Sequence, residues 1–289
     1  MPPGSSFVRL TLIGSGTSQP QPETPASGLL IETDSTAILV DCGQGIIREL
    51  MGVRDPRELD AIVIGHMHAD HYIDLVSLRY LLPWEGVAGA HIPVLLPPGG
   101  KARLDALAIA ISERPHFFDD AYSVMEYDPS HRVHVGDLTI GFVPGQHYVP
   151  AWGAIVSGPD GARIAISGDT GPSDTFVEAA RGADVVVAEA TLVDSRFDDP
   201  RRGHLTAEEA LDMADRAGAE RVVLVHFRAE LQERIERACA ARPGAMAGHP
   251  GLSIEVVAAD PRSTAGPTGS DHGVESRATV EQLTGIRIV

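Results

Sequence analysis

The sequence predicts an α/β protein, on three observations. Short apolar runs alternate with stretches of helical pattern along most of the chain. Many of those runs, such as Ile62-Val63-Ile64 and Val222-Val223-Leu224-Val225, are unbroken Val/Ile/Leu stretches. Strands look like this when a sheet is covered on both faces. Finally, Thr206-Ala207-Glu208-Glu209 is a capping box that opens a helix.

In chain order, strands are expected at Phe7–Ile13, Leu29–Glu32, Ala37–Val40, Ala61–Ile64, Ile92–Leu96 and Arg132–Val135. Further strands are expected at Leu138–Val143, Ala154–Val156, Arg163–Ser167, Val185–Ala188, Val222–Val225 and Ile254–Val257. Helices are expected at Ile46–Met51, Ile73–Leu82, Ala102–Ser112, Thr175–Arg181 and Ala229–Ala241. The capped helix runs from Thr206 to about Ala217 and closes at Gly218. Its residues Ala207, Ala210, Leu211 and Ala214 form one apolar face. Residues 1–260 are expected to form one domain, and 261–289 a Gly/Pro/Ser-rich linker and tail. Residues 279–289 fit a last helix, a last strand or a loose end.

Composition narrows the class. Of 289 residues, 43% are hydrophobic, the balance of an ordinary soluble globular protein. No run approaches the ~20 apolar residues of a membrane span. The first six residues lack a basic region followed by an apolar one, so no secretory signal is expected. Cys42 and Cys239 are too few for a disulfide framework and suit reduced thiols in a cytoplasmic protein. The net charge is −17, and no basic stripe is present to displace counterions from nucleic acid.

Chemistry concentrates in Gly65-His66-Met67-His68-Ala69-Asp70-His71 at the exit of an expected strand. His66 and His68 are two apart, so in an extended turn both rings reach one cation. Asp70 and His71 are offset enough to reach a second. Three more candidates each follow a strand: His147, Asp169 and His226. Together they complete two sites of three or four ligands, with Asp169 able to bridge. Imidazole and carboxylate donors suit zinc, manganese or iron, and geometry and supply decide among them.

With these motifs in order, and with Asp41 after a strand, the chain resembles the metallo-β-lactamase-fold hydrolases over about residues 7–260. The resemblance implies an αβ/βα four-layer sandwich. Two mixed sheets pack face to face, helices lie outside, and two divalent metal ions, zinc first among them, sit at one sheet edge. Local motifs resemble the ribonuclease Z and arylsulfatase branch. They are Gly14-Ser15-Gly16-Thr17-Ser18-Gln19-Pro20, Asp41-Cys42-Gly43-Gln44-Gly45, Ser167-Gly168-Asp169-Thr170, Ala188-Glu189-Ala190-Thr191 and Gly203-His204-Leu205-Thr206-Ala207-Glu208. Ribonuclease Z usually carries histidine where Ala188 stands.

The resemblance implies roles. His66, His68 and His147 hold one ion; Asp70, His71 and His226 hold the other; Asp169 bridges. Asp41 orients the ligand loop or is a plain turn residue. His204 protonates the leaving group, oriented by Glu189, or it merely precedes the Thr206 helix cap. Paired ions lower the pKa of water from 15.7 toward about 7, and Asp70 is the candidate acceptor of its proton. Relatives of this branch are often homodimers.

Substrate is less legible. Many ribonuclease Z proteins carry a tRNA-clamping arm between the third and fourth ligand motifs. Here the step from position 147 to position 169 is only 22 residues, enough for a hairpin. With the acidic charge this weighs against a tRNA 3′ endonuclease and against nucleic acid as partner. The preferred expectation is a small-molecule phosphodiester, cyclic phosphodiester or sulfate ester, because an alkoxide leaving group needs the His204 proton. The alternatives are a lactone, thioester or amide hydrolase of specialised metabolism, and a non-enzymatic member of the fold. Ten of the 14 aromatic residues, Tyr72, Tyr80, Trp84, Phe117, Phe118, Tyr122, Tyr127, Phe142, Tyr148 and Trp152, fall between positions 72 and 152, in the stretch that links two ligand motifs. They suit an apolar substrate wall, or equally a local hydrophobic cluster or dimer face.

Overall fold

Two mixed sheets face each other in the computed structural model, which describes residues 7–82, 91–194, 202–257 and 286–288. The first sheet takes β1 (Val8–Ser15), β2 (Ser27–Glu32), β3 (Ala37–Val40), β4 (Ala61–Val63), β5 (Ile92–Leu96) and β6 (Tyr122–Glu126) in chain order. β14 (Ser253–Val256) is added beside β1. The second contains β7 (Val133–Val135), β8 (Leu138–Pro144), β9 (Trp152–Ser157), β10 (Arg163–Ile166), β11 (Val185–Glu189), β12 (Arg221–Val225) and β13 (Ala245–Ala247). β15 (Ile286–Ile288) pairs with β7 at its other edge. β3 to β6 run parallel, as do β10 to β13, and the remaining pairings are antiparallel.

The unbroken apolar runs are explained by burial on both faces. In β4, Ala61 and Val63 point between the sheets while Ile62 points outward. In β11, Val185 and Val187 point between the sheets while Val186 and Ala188 point outward. α1 (Ile46–Leu50), α3 (Leu75–Arg79) and α4 (Gly100–Ser112) pack on the outer face of the first sheet through Ile46, Leu75, Leu78 and Leu104. α5 (Asp174–Ala180), α6 (Ala207–Ala217) and α7 (Gln232–Ala240) cover the second through Phe176, Ala210 and Ile235. This is the four-layer sandwich that the sequence implied. The Thr206 capping box and the left-handed Gly218 stop are both present.

Some local expectations needed correction. The expected helix Ile73–Leu82 is only Leu75–Arg79, preceded by a separate turn α2 (Ala69–Tyr72). The Asp74 carboxylate between them accepts the Ile47 N–H at 3.0 Å, so the chain stops there to brace α1. β6 and β13 were not expected. β13 is Ala-Met-Ala, a weak strand former held by parallel pairing to β12. The end of the chain, left open between helix, strand and loose tail, contributes a strand whose Ile286 is buried between the sheets. Of the expected linker and tail at 261–289, all but residues 286–288 lies outside the described residues. No helix among the described residues is long and apolar enough to cross a membrane.

Candidate metal centre

Six strands deliver the site to one edge of the sandwich. Asp41 follows β3, His66 to His71 follow β4, His147 follows β8, Asp169 follows β10, Glu189 ends β11 and His226 follows β12. β3 and β4 are parallel, and so are β10 to β12. β8 reaches β10 through two antiparallel pairings, so all six strands end at the same rim. Loops at the carboxyl ends of parallel strands are where α/β folds place their ligands.

The loops are held in place by specific backbone bonds. The His226 N–H donates to the Ser15 carbonyl at 2.7 Å, and the Cys42 N–H to the His71 carbonyl at 2.7 Å. This gives the two Gly-rich motifs near the start of the chain a structural purpose. Gly43 passes so close to the Asp70 carbonyl that a Cβ there would lie 1.9 Å from its oxygen. Among the described residues, three non-glycine residues adopt positive φ, and two are Asp41 (63°) and His226 (56°). Backbone strain of this kind collects at functional sites.

Three overlapping groups of donors result. His66, His68, His147 and Asp169 form the first; Asp70, His71 and His226 form the second; Asp169, His204 and His226 form a third that shares one member with each. In the first, the His68 Nδ1 lies 3.1 Å from the His66 Nε2 and 3.0 Å from the His147 Nε2. The His147 Nδ1–H donates to the Gly203 carbonyl at 2.7 Å, so its Nε2 presents a lone pair. Burial holds the pKa of His66 well below its ordinary value, and those of His68 and His147 below theirs. Ring nitrogens of three imidazoles held toward the neutral form and this close together could share a cation.

In the second cluster the His71 Nε2 is buried with no hydrogen-bond partner. It faces Asp169 Oδ1 at 3.5 Å and Asp70 Oδ2 at 3.7 Å. The His226 Nε2 lies 3.3 Å from Asp70 Oδ2 and 3.5 Å from Asp169 Oδ2. Asp169 Oδ2 is also 3.8 Å from the Nε2 atoms of both His66 and His147, so this carboxylate borders both clusters. Donors around a tetrahedral zinc at about 2.0–2.1 Å are separated by about 3.3 Å. The spacing and the orphaned Nε2 therefore fit divalent metal ions.

Charge follows the same division. Burial works against an imidazolium at His71 and His226, but Asp169 together with Asp41 at His71, and with Asp70 and Glu189 at His226, raises both above their ordinary values. Burial likewise opposes the charge on Asp169, but His226 and His71 hold it well below the carboxylate range. Burial opposes the charge on Asp70 too, but the His226 hydrogen bond and the nearby His71 and His226 rings together hold it low.

Behind the donors, the Asp41 carboxylate accepts from the His71 Nδ1–H at 2.7 Å and the Gly65 N–H at 2.9 Å. These are the contacts that a residue orienting a ligand loop would make. Beside the clusters, the His204 Nδ1–H donates to Glu189 Oε1 at 2.9 Å and lies 4.0 Å from Asp169 Oδ2. Burial works against its charge, but the bond to Glu189 and the negative charges of Glu189, Asp169 and Asp70 together raise the His204 pKa. Glu189 is 1% exposed and also accepts from the Thr170, Thr191 and Leu205 N–H groups. His204 thus belongs to the site and is no mere prelude to the helix cap.

All seven expected donors, with Asp41, Glu189 and His204, come together. The aromatic wall does not. Phe117, Phe118 and Tyr122 are buried under α3 and α4, and Tyr127 between the sheets. Phe142 is stacked on Tyr127 with centroids 3.7 Å apart. Trp84 lies outside the described residues. Tyr148 does border the site, 65% exposed, with its ring 5.2 Å from His147 and 5.7 Å from His204. Two partners went unread in the sequence. The Gly203 carbonyl adjoins His204, and Thr191 lies in the quoted Glu189 motif; only the fold brings them to His147 and His226.

The family profile described as Beta-lactamase superfamily domain matches residues 36–227. The chain therefore belongs to the β-lactamase superfamily, as a hydrolase of the metallo-β-lactamase fold. It is 32% identical to the uncharacterised protein Rv1339 of Mycobacterium tuberculosis over 222 residues, 76% of this chain and 81% of that protein. It is 28% identical to a ribonuclease Z of Myxococcus xanthus over 274 residues, covering 77% and 87% respectively. Among solved structures, the metallo-β-lactamase fold protein YhfI of Bacillus subtilis superposes with a TM-score of 0.75 at 21% identity. That match covers 87% of this chain and all of YhfI.

Proposed function

We propose that this protein hydrolyses a small phosphodiester, cyclic phosphodiester or sulfate ester with two divalent metal ions, zinc first, or manganese or iron. His66, His68 and His147 would hold one ion, Asp70, His71 and His226 the other, with Asp169 between them. Ions held there supply a water-derived nucleophile at neutral pH and neutralise charge on the ester oxygens. The observation that carries the choice of substrate is the His204–Glu189 pair. Its 2.9 Å bond fixes the proton on Nδ1 and leaves Nε2 to hand a second proton to a departing alkoxide. Glu189 keeps that imidazole charged and aimed. Asp70 borders both His71 and His226 and is the proposed acceptor of the attacking water's proton.

The chain between His147 and Asp169 is taken up by the β9–β10 hairpin, in which Ser157 pairs with Arg163. No clamping arm arises there, which supports a small substrate over tRNA. The aromatic stretch that spoke for a carbonyl substrate is largely core. The proposal includes a cytoplasmic homodimer, which light scattering on the purified protein tests.

Turnover of the zinc- or manganese-loaded protein tests the chemistry. A phosphodiester, an aryl sulfate, a lactone and a thioester are compared, with Asp169→Ala as the inactive control. His204→Ala should cost about 10²–10⁴-fold on an alkyl ester. It should cost far less on a nitrophenyl ester, whose leaving group needs no proton. Equal losses on both, or a preference for the lactone, would overturn the proposal.

A further inference from the structure

The four ring nitrogens that fix the imidazoles of the site are not held alike. Behind His71 stands the Asp41 carboxylate, behind His147 the Gly203 carbonyl, and behind His204 the Glu189 carboxylate. Each of these accepts only, so each Nδ1 must carry a proton. Behind the His226 Nδ1, at 2.8 Å, stands the hydroxyl of Thr191, which can donate or accept. Taken alone, that contact leaves the tautomer of His226 undecided, and with it whether Nε2 is free to bind a cation.

The rest of the Thr191 environment decides it. The same hydroxyl oxygen lies 2.7 Å from Glu189 Oε2 and 2.9 Å from the His226 carbonyl oxygen. Both are acceptors, and the hydroxyl has one proton. If that proton went to the His226 Nδ1, two oxygens would press on hydroxyl lone pairs at hydrogen-bond distance in a buried site. If it goes to either oxygen, a lone pair remains for Nδ1, which must then be the donor.

We infer that Thr191 is a positioning residue that locks His226 as its Nδ1–H tautomer and turns the Nε2 lone pair toward Asp70 and Asp169. Because Glu189 also binds His204, the hydroxyl joins the proposed general acid to the second metal cluster through one chain of bonds: His204, Glu189, Thr191, His226. Loss of the hydroxyl leaves the buried Nδ1–H without an acceptor and lets the ring flip or change tautomer. The inference rests on the reading of the two clusters as a metal centre, and it does not depend on which ester is cleaved.

Calorimetric zinc titration of the metal-free protein tests it, with Thr191→Val as a near-isosteric loss and Thr191→Ser as the conservative rescue. Partners that orient a metal ligand typically carry about 10–100-fold in affinity. Thr191→Val should weaken one of the two binding events by about that factor. The event assigned to His66, His68 and His147 should stay within a few-fold, and Thr191→Ser should bind like the wild type. Equal affinities for Thr191→Val and wild type would overturn the inference. Imidazole nitrogen NMR on the zinc-loaded wild type gives a check that no variant's folding can obscure. His226 coordinated through Nε2 with a proton on Nδ1 supports the lock, and coordination through Nδ1 refutes it. A wild type that takes up no zinc would refute the metal centre and this inference with it.

Discussion

Asp41→Asn changes almost no volume, and the structure sets what it costs. The carboxylate of Asp41 accepts two buried hydrogen bonds, from the His71 Nδ1–H at 2.7 Å and the Gly65 N–H at 2.9 Å. A carboxamide has one acceptor oxygen for those two donors. Whichever way it turns, its NH₂ meets a donor. If it faces His71, the proton must move to Nε2, which points at Asp70 and Asp169 and is then useless as a ligand. If it faces Gly65, the turn that carries His66 is disturbed instead. Leaving one buried donor unpaired costs about 1–3 kcal/mol. At about 1.4 kcal/mol per factor of ten, that is roughly a 5- to 150-fold loss in affinity for the ion assigned to Asp70, His71 and His226. Zinc titration of the metal-free variant by calorimetry measures it, with thermal melting as the control for folding. Two ions bound with wild-type affinities would refute the argument.

Three further outcomes follow from the same geometry. His71 and His226 titrate high and must lose protons before binding an ion, whereas burial already keeps His66, His68 and His147 neutral. Uptake at the Asp70 cluster should therefore release more protons and weaken more steeply as pH falls; titration in buffers of different ionisation enthalpy checks this, and equal pH slopes for both ions would contradict it. As the proposed acid, His204 would act only below its pKa, so activity should fall as pH rises through that raised value; Glu189→Gln should lower it and move the alkaline limb of kcat/KM to lower pH. Gly43→Ala places a Cβ 1.9 Å from the Asp70 carbonyl oxygen, an overpacking of about 1–3 kcal/mol that should appear as a Tm lowered by several degrees and as weaker metal binding.

The donor set was legible in the sequence because metal ligation constrains residue type and spacing at once. His66, His68, Asp70 and His71 follow one strand within six positions, and no ordinary turn needs that composition. The strands were legible for a similar reason. Burial on both faces leaves unbroken Val and Ile runs, so β4, β11 and β12 could be placed nearly to the residue. β13 and β6 escaped because pairing partners, not their own residues, make them strands. The aromatic residues left wall and hydrophobic cluster equally open because proximity in sequence to a ligand loop says nothing about which face of a sheet a ring occupies. Phe118 and Tyr122 turned into the core, while Tyr148 stayed at the rim.

By itself the sequence pointed to the class of fold, the seven candidate donors and the His204–Glu189 pair, since each is a local pattern with a narrow chemical use. It could not determine what stands behind each donor. Asp41 and His71 are 30 positions apart, Gly203 and His147 are 56, and Thr191 and His226 are 35. These contacts exist only because parallel strands of the two sheets end at one rim and bring distant loops within 3 Å. The acceptors that put the proton on Nδ1 of His71 and His147, and so turn Nε2 toward the site, were decided there.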